Sequence, residues 1–183
     1  MSVLFMLRHA QASFGAADYD RLSPLGLRQA ALAADRLARL GVAFDAVYTG
    51  RLQRQRQTAQ ALHEAYARLG QPLPAATELP ALDEYDARGV WDTLLPRLID
   101  QRPELAPQLE GIHRDPRRFQ SVFAELVHRW AGSQEAHAHL ESWPGFRARV
   151  RGGLEEIRRR EGPGRRVAVV TSAGPIAVAV QMA

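Results

Sequence analysis

The chain of 183 residues is 46% hydrophobic and 24% charged, which is ordinary for one globular domain with a buried core. It has no cysteine, so disulfides, thiolate metal sites and cysteine nucleophiles are excluded. No apolar stretch reaches the roughly 18 residues of a membrane helix, and the N-terminus lacks a signal-peptide pattern, which predicts a cytoplasmic protein without a membrane partner. The formal net charge of +4 comes from arginines scattered among acidic residues, which disfavours a nucleic-acid partner.

Strands and helices are predicted to alternate along the chain. Short apolar runs bounded by turn residues predict strands at 2–7, 44–50, within 76–86, and at 167–170. Apolar residues at three- and four-residue spacing predict helices at 24–41, 51–70, 144–162 and from 175 onward. Ser23, directly before Pro24, is the predicted cap of the first helix. This alternation indicates a three-layer α/β/α fold with a mostly parallel sheet.

The stretch "VAVVTSAGPIAVAV" at 167–180 combines an apolar run with a turn. Its Val-rich half predicts a strand buried on both faces. The residues from Thr171 to Pro175 predict a turn with the proline at the first helical position. Backbone N–H groups at such a junction favour an anion, so the turn is expected to hold a negatively charged group.

Residues from about 86 to 140 have a helical but irregular pattern that is interrupted by several prolines. We interpret this stretch as a helical cap inserted over the sheet. The whole chain, 1–183, is then a single domain with one insertion.

Several polar residues follow directly after the predicted strands. In a parallel sheet, ligands lie at the carboxyl ends of the strands. The residues at these ends are Arg8 and His9, 49–54, Glu84, and 171–174. Arginines can bind phosphate oxygens with paired donors, a neutral imidazole can attack phosphorus, and a protonated carboxyl can supply a proton to a leaving oxygen. Together these groups predict phosphoryl transfer.

Four motifs in order, which span almost the whole chain, resemble those of the histidine phosphatase superfamily, also called the phosphoglycerate mutase-like family. "LRHAQASFG" is similar to its Arg-His-Gly signature, and "YTGRLQRQRQTAQ" to Ser-Ser-x-Leu-x-Arg-Ala-x-Gln-Thr-Ala. "LDEYDARGVWD" is similar to its Glu-bearing segment, and "VVTSAGPI" to its closing Ser-His-Gly-Gly motif. "ESWPGFRARV" also resembles the family's helix after the cap. The resemblance implies the phosphoglycerate mutase-like fold.

The same resemblance implies the roles of individual residues. His9 would be the nucleophile that becomes phosphohistidine, and Glu84 would donate a proton to the leaving group. Arg8 and Arg54 would clamp the phosphoryl oxygens. The resemblance implies no metal and no cofactor, and the expected partner is a small phosphorylated substrate or inorganic phosphate.

Residues on two loops complete the candidate site. Gln11 and Ser13 follow the nucleophile and are candidates for substrate contact. Ser172 and Ala173 of the closing motif are expected to bind phosphate, but Ser172 stands where the family has a second histidine. Losing one preorganised donor costs roughly 3–4 kcal/mol in the barrier. Restoring histidine at 172 is therefore expected to raise turnover.

A second departure is Ala10, which replaces the family's glycine after the nucleophile. A methyl group would crowd the loop if that position requires positive φ. By the resemblance, family members also continue beyond the closing motif through another segment and strand. A missing strand would leave a sheet edge exposed.

Several alternatives stay open from the sequence. Asp83 or Asp86 could replace Glu84, and Ser172 is a structural turn residue, a substitute donor or a remnant of lost catalysis. Hydrolysis of a phosphomonoester is favoured over mutase chemistry. The alternative function is a catalytically impaired member that binds a phosphorylated ligand or a protein. The substrate is not specified, and a homodimer is left open.

The histidines outside the motifs are expected to be structural or exposed. They are His63, His113, His128, His137 and His139.

Overall fold

The computed structural model describes residues 2–15, 18–133, 137 and 139–182. The chain forms two compact units, one of Met1–Glu84 with Arg149–Ala183 and the other of Tyr85–Ala148. The strands are β1 (Val3–Arg8), β2 (Ala46–Thr49), β3 (Thr77–Glu78) and β4 (Arg166–Thr171). The helices are α1 (Pro24–Arg39), α2 (Gln53–Arg68), α3 (Ala87–Gln101), α4 (Ala106–Leu109), α5 (Pro116–Gly132), α6 (Trp143–Glu161) and α7 (Ala173–Met182).

The sheet of the first unit has the strand order β1-β4-β2-β3, and every pair is parallel. Strand β4 lies inside the sheet, and all its residues after Arg166 are buried, as its Val-rich sequence predicts. At its carboxyl end Arg8 pairs with Thr171, and Thr49 pairs with Val170 and Glu78. The strand ends that the sequence analysis singled out therefore meet at one edge of the sheet. The predicted α/β fold is confirmed.

Helix α1 shows how local sequence places the elements around this sheet. Ser23 caps it as predicted, because the serine hydroxyl accepts a hydrogen bond from the Gly26 N–H at 3.0 Å. Buried alanines at four-residue spacing, Ala30, Ala34 and Ala38, form its inner face and allow close packing on α2.

The carboxyl-terminal end of β4 differs from its prediction. Thr171 belongs to the strand, and α7 begins at Ala173, so Ser172 alone separates the two elements. Pro175 is the third helical residue rather than the first. Proline is tolerated there because the first four N–H groups of a helix have no partner within the helix. The Ser172 carbonyl accepts from the Ile176 N–H at 3.2 Å and so begins the helical hydrogen bonding.

The second unit contains α3, α4 and α5, and it covers the predicted insertion at 86–140. Trp130 is buried, and its indole N–H donates to the Glu141 carbonyl at 2.9 Å. Its ring packs 4.8 Å from Tyr85 and 5.4 Å from Trp143, centroid to centroid. The position of the insertion as a cap stays a prediction. In the described ranges, none of the helices combines the length and apolar character needed to cross a bilayer.

Candidate active site

His9 lies directly after β1, where its N–H extends the strand pairing by donating to the Thr171 carbonyl at 2.8 Å. Its Nδ1 lies 2.7 Å from the Ala10 carbonyl oxygen. A carbonyl can only accept, so Nδ1 carries a proton and the neutral ring keeps its lone pair on Nε2. Burial lowers the pKa of His9 to about 4, and the nearby charges of Arg54 and Arg8 act in the same direction. The imidazole is therefore an uncharged base at neutral pH.

Arg54 contacts this nucleophilic nitrogen from the first turn of α2. Its Nε donates to His9 Nε2 at 3.1 Å, and only 8% of the residue is exposed. One terminal nitrogen of the guanidinium forms an ion pair with Asp20 at 2.5 Å, and the Tyr19 ring lies below the guanidinium, 5.5 Å from its carbon. Arg8 differs from Arg54 because its side chain is exposed and forms no ion pair with the described residues.

The nucleophile loop is attached to α2 by two side chains that sequence reasoning missed. The Thr58 hydroxyl accepts from the Ala10 N–H at 3.2 Å and donates to the Arg54 carbonyl at 2.8 Å. The Gln57 side chain accepts from the Leu22 N–H at 2.8 Å. These residues are the Gln-Thr pair of the second motif, so the motif itself was the signal that could have identified them.

The two substrate-contact candidates on this loop have different surroundings. The Gln11 side-chain carbonyl accepts from the Ser23 hydroxyl at 2.8 Å, and a Cβ at Gly26 would overlap the Gln11 backbone oxygen. Gln11 therefore joins the loop to the start of α1. Ser13 is held through its backbone, whose N–H donates to the Arg21 carbonyl at 2.8 Å.

Glu84 lies at the start of α7, where both carboxylate oxygens accept from the Gly174 N–H at 3.1 and 3.2 Å. The Gly174 N–H at the helix N-terminus therefore orients the Glu84 carboxyl group. The two alternative acids have other roles. Asp83 binds the backbone and guanidinium of Arg51 at 2.6 and 2.8 Å, and Asp86 caps α3.

Ser172 has no exposed surface. Its hydroxyl accepts a hydrogen bond from Gln55 Nε2 at 2.9 Å, and the same amide nitrogen donates to the Leu82 carbonyl at 3.2 Å. The Gln55 oxygen accepts from the Leu52 N–H at 3.2 Å. Gln55 is itself fully buried, so the structure places Ser172 behind a glutamine rather than at a surface open to phosphate. Ala173, the next residue, is exposed.

Gly50 provides the space for this glutamine. A Cβ at position 50 would overlap Gln55 Oε1 and would lie 2.9 Å from Asp83 Oδ1. In the second motif, Gly50 stands at a family serine and Gln55 at the family alanine. Sequence reasoning recorded the change at Ser172 but missed these two, although the motif comparison contained both.

The described site contains arginines and a histidine but no arrangement suited to a metal. No cluster of three or more histidine or acidic side chains that could hold a metal ion occurs among the described residues. An uncharged histidine beside arginines at the strand ends can attack a phosphoryl group and bind its oxygens.

The sequence profile of the histidine phosphatase superfamily (branch 1) matches residues 4–183. The chain belongs to this superfamily, so the resemblance of the motifs is confirmed. None of the curated protein sequences matches the chain significantly.

Solved structures with the same fold include phosphatases and a mutase. Native mycobacterial glucosyl-3-phosphoglycerate phosphatase is 24% identical, with a TM-score of 0.65 over 97% of this chain and 76% of that one. Phosphoglycerate mutase from Bacillus anthracis str. Sterne is 18% identical, with a TM-score of 0.62 over 98% and 78%. Alpha-ribazole phosphatase from Shigella flexneri is 16% identical, with a TM-score of 0.59 over 98% and 78%. The fold is therefore phosphoglycerate mutase-like.

Proposed function

We propose that the protein is a phosphohydrolase that removes the phosphoryl group of a small phosphomonoester through a phosphohistidine at His9. The observation that carries this proposal is the geometry around the imidazole. The Ala10 carbonyl fixes the proton on Nδ1, and the lone pair on Nε2 faces the guanidinium of Arg54 at 3.1 Å. A phosphoryl group arriving here would accept the Arg54 donor on one of its own oxygens, and the hydrogen bond to Nε2 would break. The freed lone pair and the guanidinium would then act on the same group.

In the first step, His9 Nε2 attacks phosphorus, a P–N bond forms, and the P–O bond to the leaving group breaks. Glu84, in its protonated form, gives its proton to the departing oxygen. Arg8 and Arg54 balance the charge on the non-bridging oxygens. The phosphorylated ring carries a positive charge, and the Ala10 carbonyl, which accepts from Nδ1–H, stabilises that cation.

In the second step, water attacks the phosphohistidine. The Glu84 carboxylate takes a proton from this water, the P–N bond breaks, and inorganic phosphate leaves with His9 restored. No cofactor takes part in this sequence. Neighbours of the same fold support the substrate class, because they include phosphatases of glucosyl-3-phosphoglycerate and alpha-ribazole. A mycobacterial neighbour solved with inorganic phosphate, 24% identical with a TM-score of 0.61 over 97% of this chain and 76% of that one, supports phosphate as the product.

A second candidate function is the binding of a phosphorylated ligand or a protein without turnover. Ser172 favours it, because a fully buried serine replaces the family's second histidine and supplies no exposed hydroxyl. Asp20 also favours it, since its carboxylate already neutralises part of the Arg54 charge. The cytoplasmic location stays a prediction.

The test is acid-labile phosphate incorporation and turnover of 4-nitrophenyl phosphate, measured with the parent protein, His9→Ala and His128→Ala. His128 is an exposed histidine on α5 and serves as the matched control. We expect labelling and turnover to disappear in His9→Ala and to persist in His128→Ala. A parent protein that binds inorganic phosphate but shows neither labelling nor turnover would support the binding function and refute the hydrolase.

A further inference from the structure

We propose that Gln55 and Ser172 act as one positioning unit for Glu84, and that Gln55 occupies the volume that a larger side chain at 172 would need. The inference deepens the proposed hydrolase function and rests on it. It concerns residues behind the site rather than groups that touch a phosphoryl group.

The hydrogen bonds of Gln55 define its role. Its amide nitrogen donates to Ser172 Oγ and the Leu82 carbonyl, and its oxygen accepts from the Leu52 N–H. Both amide protons are therefore used within the protein, and the side chain is fully buried. Gln55 has no donor left for a substrate, so it positions other residues.

Two short connections lead from Gln55 to the proposed proton donor. The Leu82 carbonyl, two residues before Glu84, accepts from Gln55 and also from the Thr171 hydroxyl at 2.6 Å. On the other side, Ser172 lies two residues before Gly174, whose N–H holds the Glu84 carboxylate. Gln55 thus fixes the chain that carries Glu84 and the turn that binds its carboxylate.

A neighbouring cation completes the support of this chain segment. The Arg149 guanidinium donates to the carbonyls of Pro80, Ala81 and Asp83 at 3.2, 3.1 and 3.1 Å. The Leu82 carbonyl lies between these acceptors in sequence and is bound by Gln55 instead. Loss of the Gln55 amide would remove hydrogen bonds that join α2 to this segment and to Ser172 at once.

The packing around Gln55 links the identities of three positions. A Cβ at Gly50 would overlap the Gln55 amide oxygen, and Ser172 contacts the amide nitrogen from the other side. An imidazole at 172 would therefore enter the volume of the glutamine. This packing revises the expectation from sequence: Ser172→His alone is expected to lower stability and turnover, whereas Ser172→His combined with Gln55→Ala has room for the ring.

The first arm of the test is a double-mutant cycle in thermal stability with Gln55→Ala, Ser172→His and the double variant. This arm requires no activity. We expect Ser172→His to lower Tm strongly in the parent protein and clearly less when Gln55→Ala is present. Additive changes in Tm, or a Ser172→His variant as stable as the parent, would overturn the inference that Gln55 occupies the volume needed by a larger side chain at 172.

The second arm separates positioning of Glu84 from general damage. Gln55→Met keeps the length of the side chain and removes the amide, and Gln60→Met, at an exposed site of the same helix, is the control. Phenolate is more basic than 4-nitrophenolate, so its departure depends more on a proton from the general acid. We therefore expect kcat/KM for phenyl phosphate to fall about tenfold more than that for 4-nitrophenyl phosphate. Equal losses for both substrates would overturn the positioning role, whereas missing His9 labelling in the parent would refute the proposed function separately.

Discussion

The partly buried imidazole of His9 predicts a pH dependence of folding stability. Burial lowers its pKa from 6.5 to about 4 in the folded protein. As the pH falls through 6.5, the unfolded chain takes up a proton that the folded protein does not accept until about pH 4. The contribution of His9 to stability therefore falls across this window and becomes constant below it. Replacing His9 by asparagine, whose amide does not titrate, removes this contribution.

The size of the effect follows from the shift. The full shift corresponds to about 3 kcal/mol, and because the imidazole is only partly buried we expect about 2 kcal/mol of it. Most of this difference lies between about pH 6.5 and pH 4.5, where only the unfolded state becomes charged.

Urea unfolding of the parent and His9→Asn at several pH values between 4 and 7 measures the difference. The parent should lose stability more steeply than His9→Asn as the pH falls, while His128→Asn, at an exposed site, should follow the parent. Parallel curves for the parent and His9→Asn would refute the depressed pKa, and with it the neutral nucleophile at low pH.

Three further substitutions test the described contacts. Arg54→Lys keeps the charge but loses the planar pair of donors, so kcat/KM for 4-nitrophenyl phosphate should fall about a hundredfold. The control variant Arg51→Lys should have nearly the kcat/KM of the parent. Thr58→Val removes the acceptor of the Ala10 N–H, so the free energy of unfolding in urea should fall by about 1 kcal/mol and kcat should fall as well. An unchanged kcat would contradict the role of Thr58 in holding the loop. Gly26→Ala places a methyl group on the Gln11 backbone oxygen and should cost about 1–3 kcal/mol in the same assay, and a neutral effect would contradict this close approach.

Most of the fold could be predicted because its signals are local. The cap at Ser23 and the Val-rich run of β4 each depend on a few consecutive residues, and both predictions are confirmed. The start of α7 was placed two residues too late, because proline was expected at the first helical position. Each of the first four helical N–H groups lacks a partner within the helix, so proline is tolerated at several of these positions. Pro175 alone therefore could not fix the first residue of α7.

Candidate site residues could be predicted only where polar side chains follow the strands or stand in a motif. His9, Arg54 and Glu84 were identified from their positions and motifs, and the structure brings each of them to the same unit. Asp20 was not identified, because its ion pair with Arg54 joins residues 34 positions apart and no periodic sequence pattern indicates such a contact. Gln55 was missed for a related reason: the role proposed for it depends on a buried contact with Ser172, 117 positions away.

The close approach of Gly50 to the Gln55 oxygen has an evolutionary consequence. A side chain at position 50 requires the Gln55 amide to move aside or position 55 to become smaller. Under the packing proposed above, histidine at 172 requires the same change. The three positions are then coupled, and a return to the family pattern is easiest when position 55 changes first.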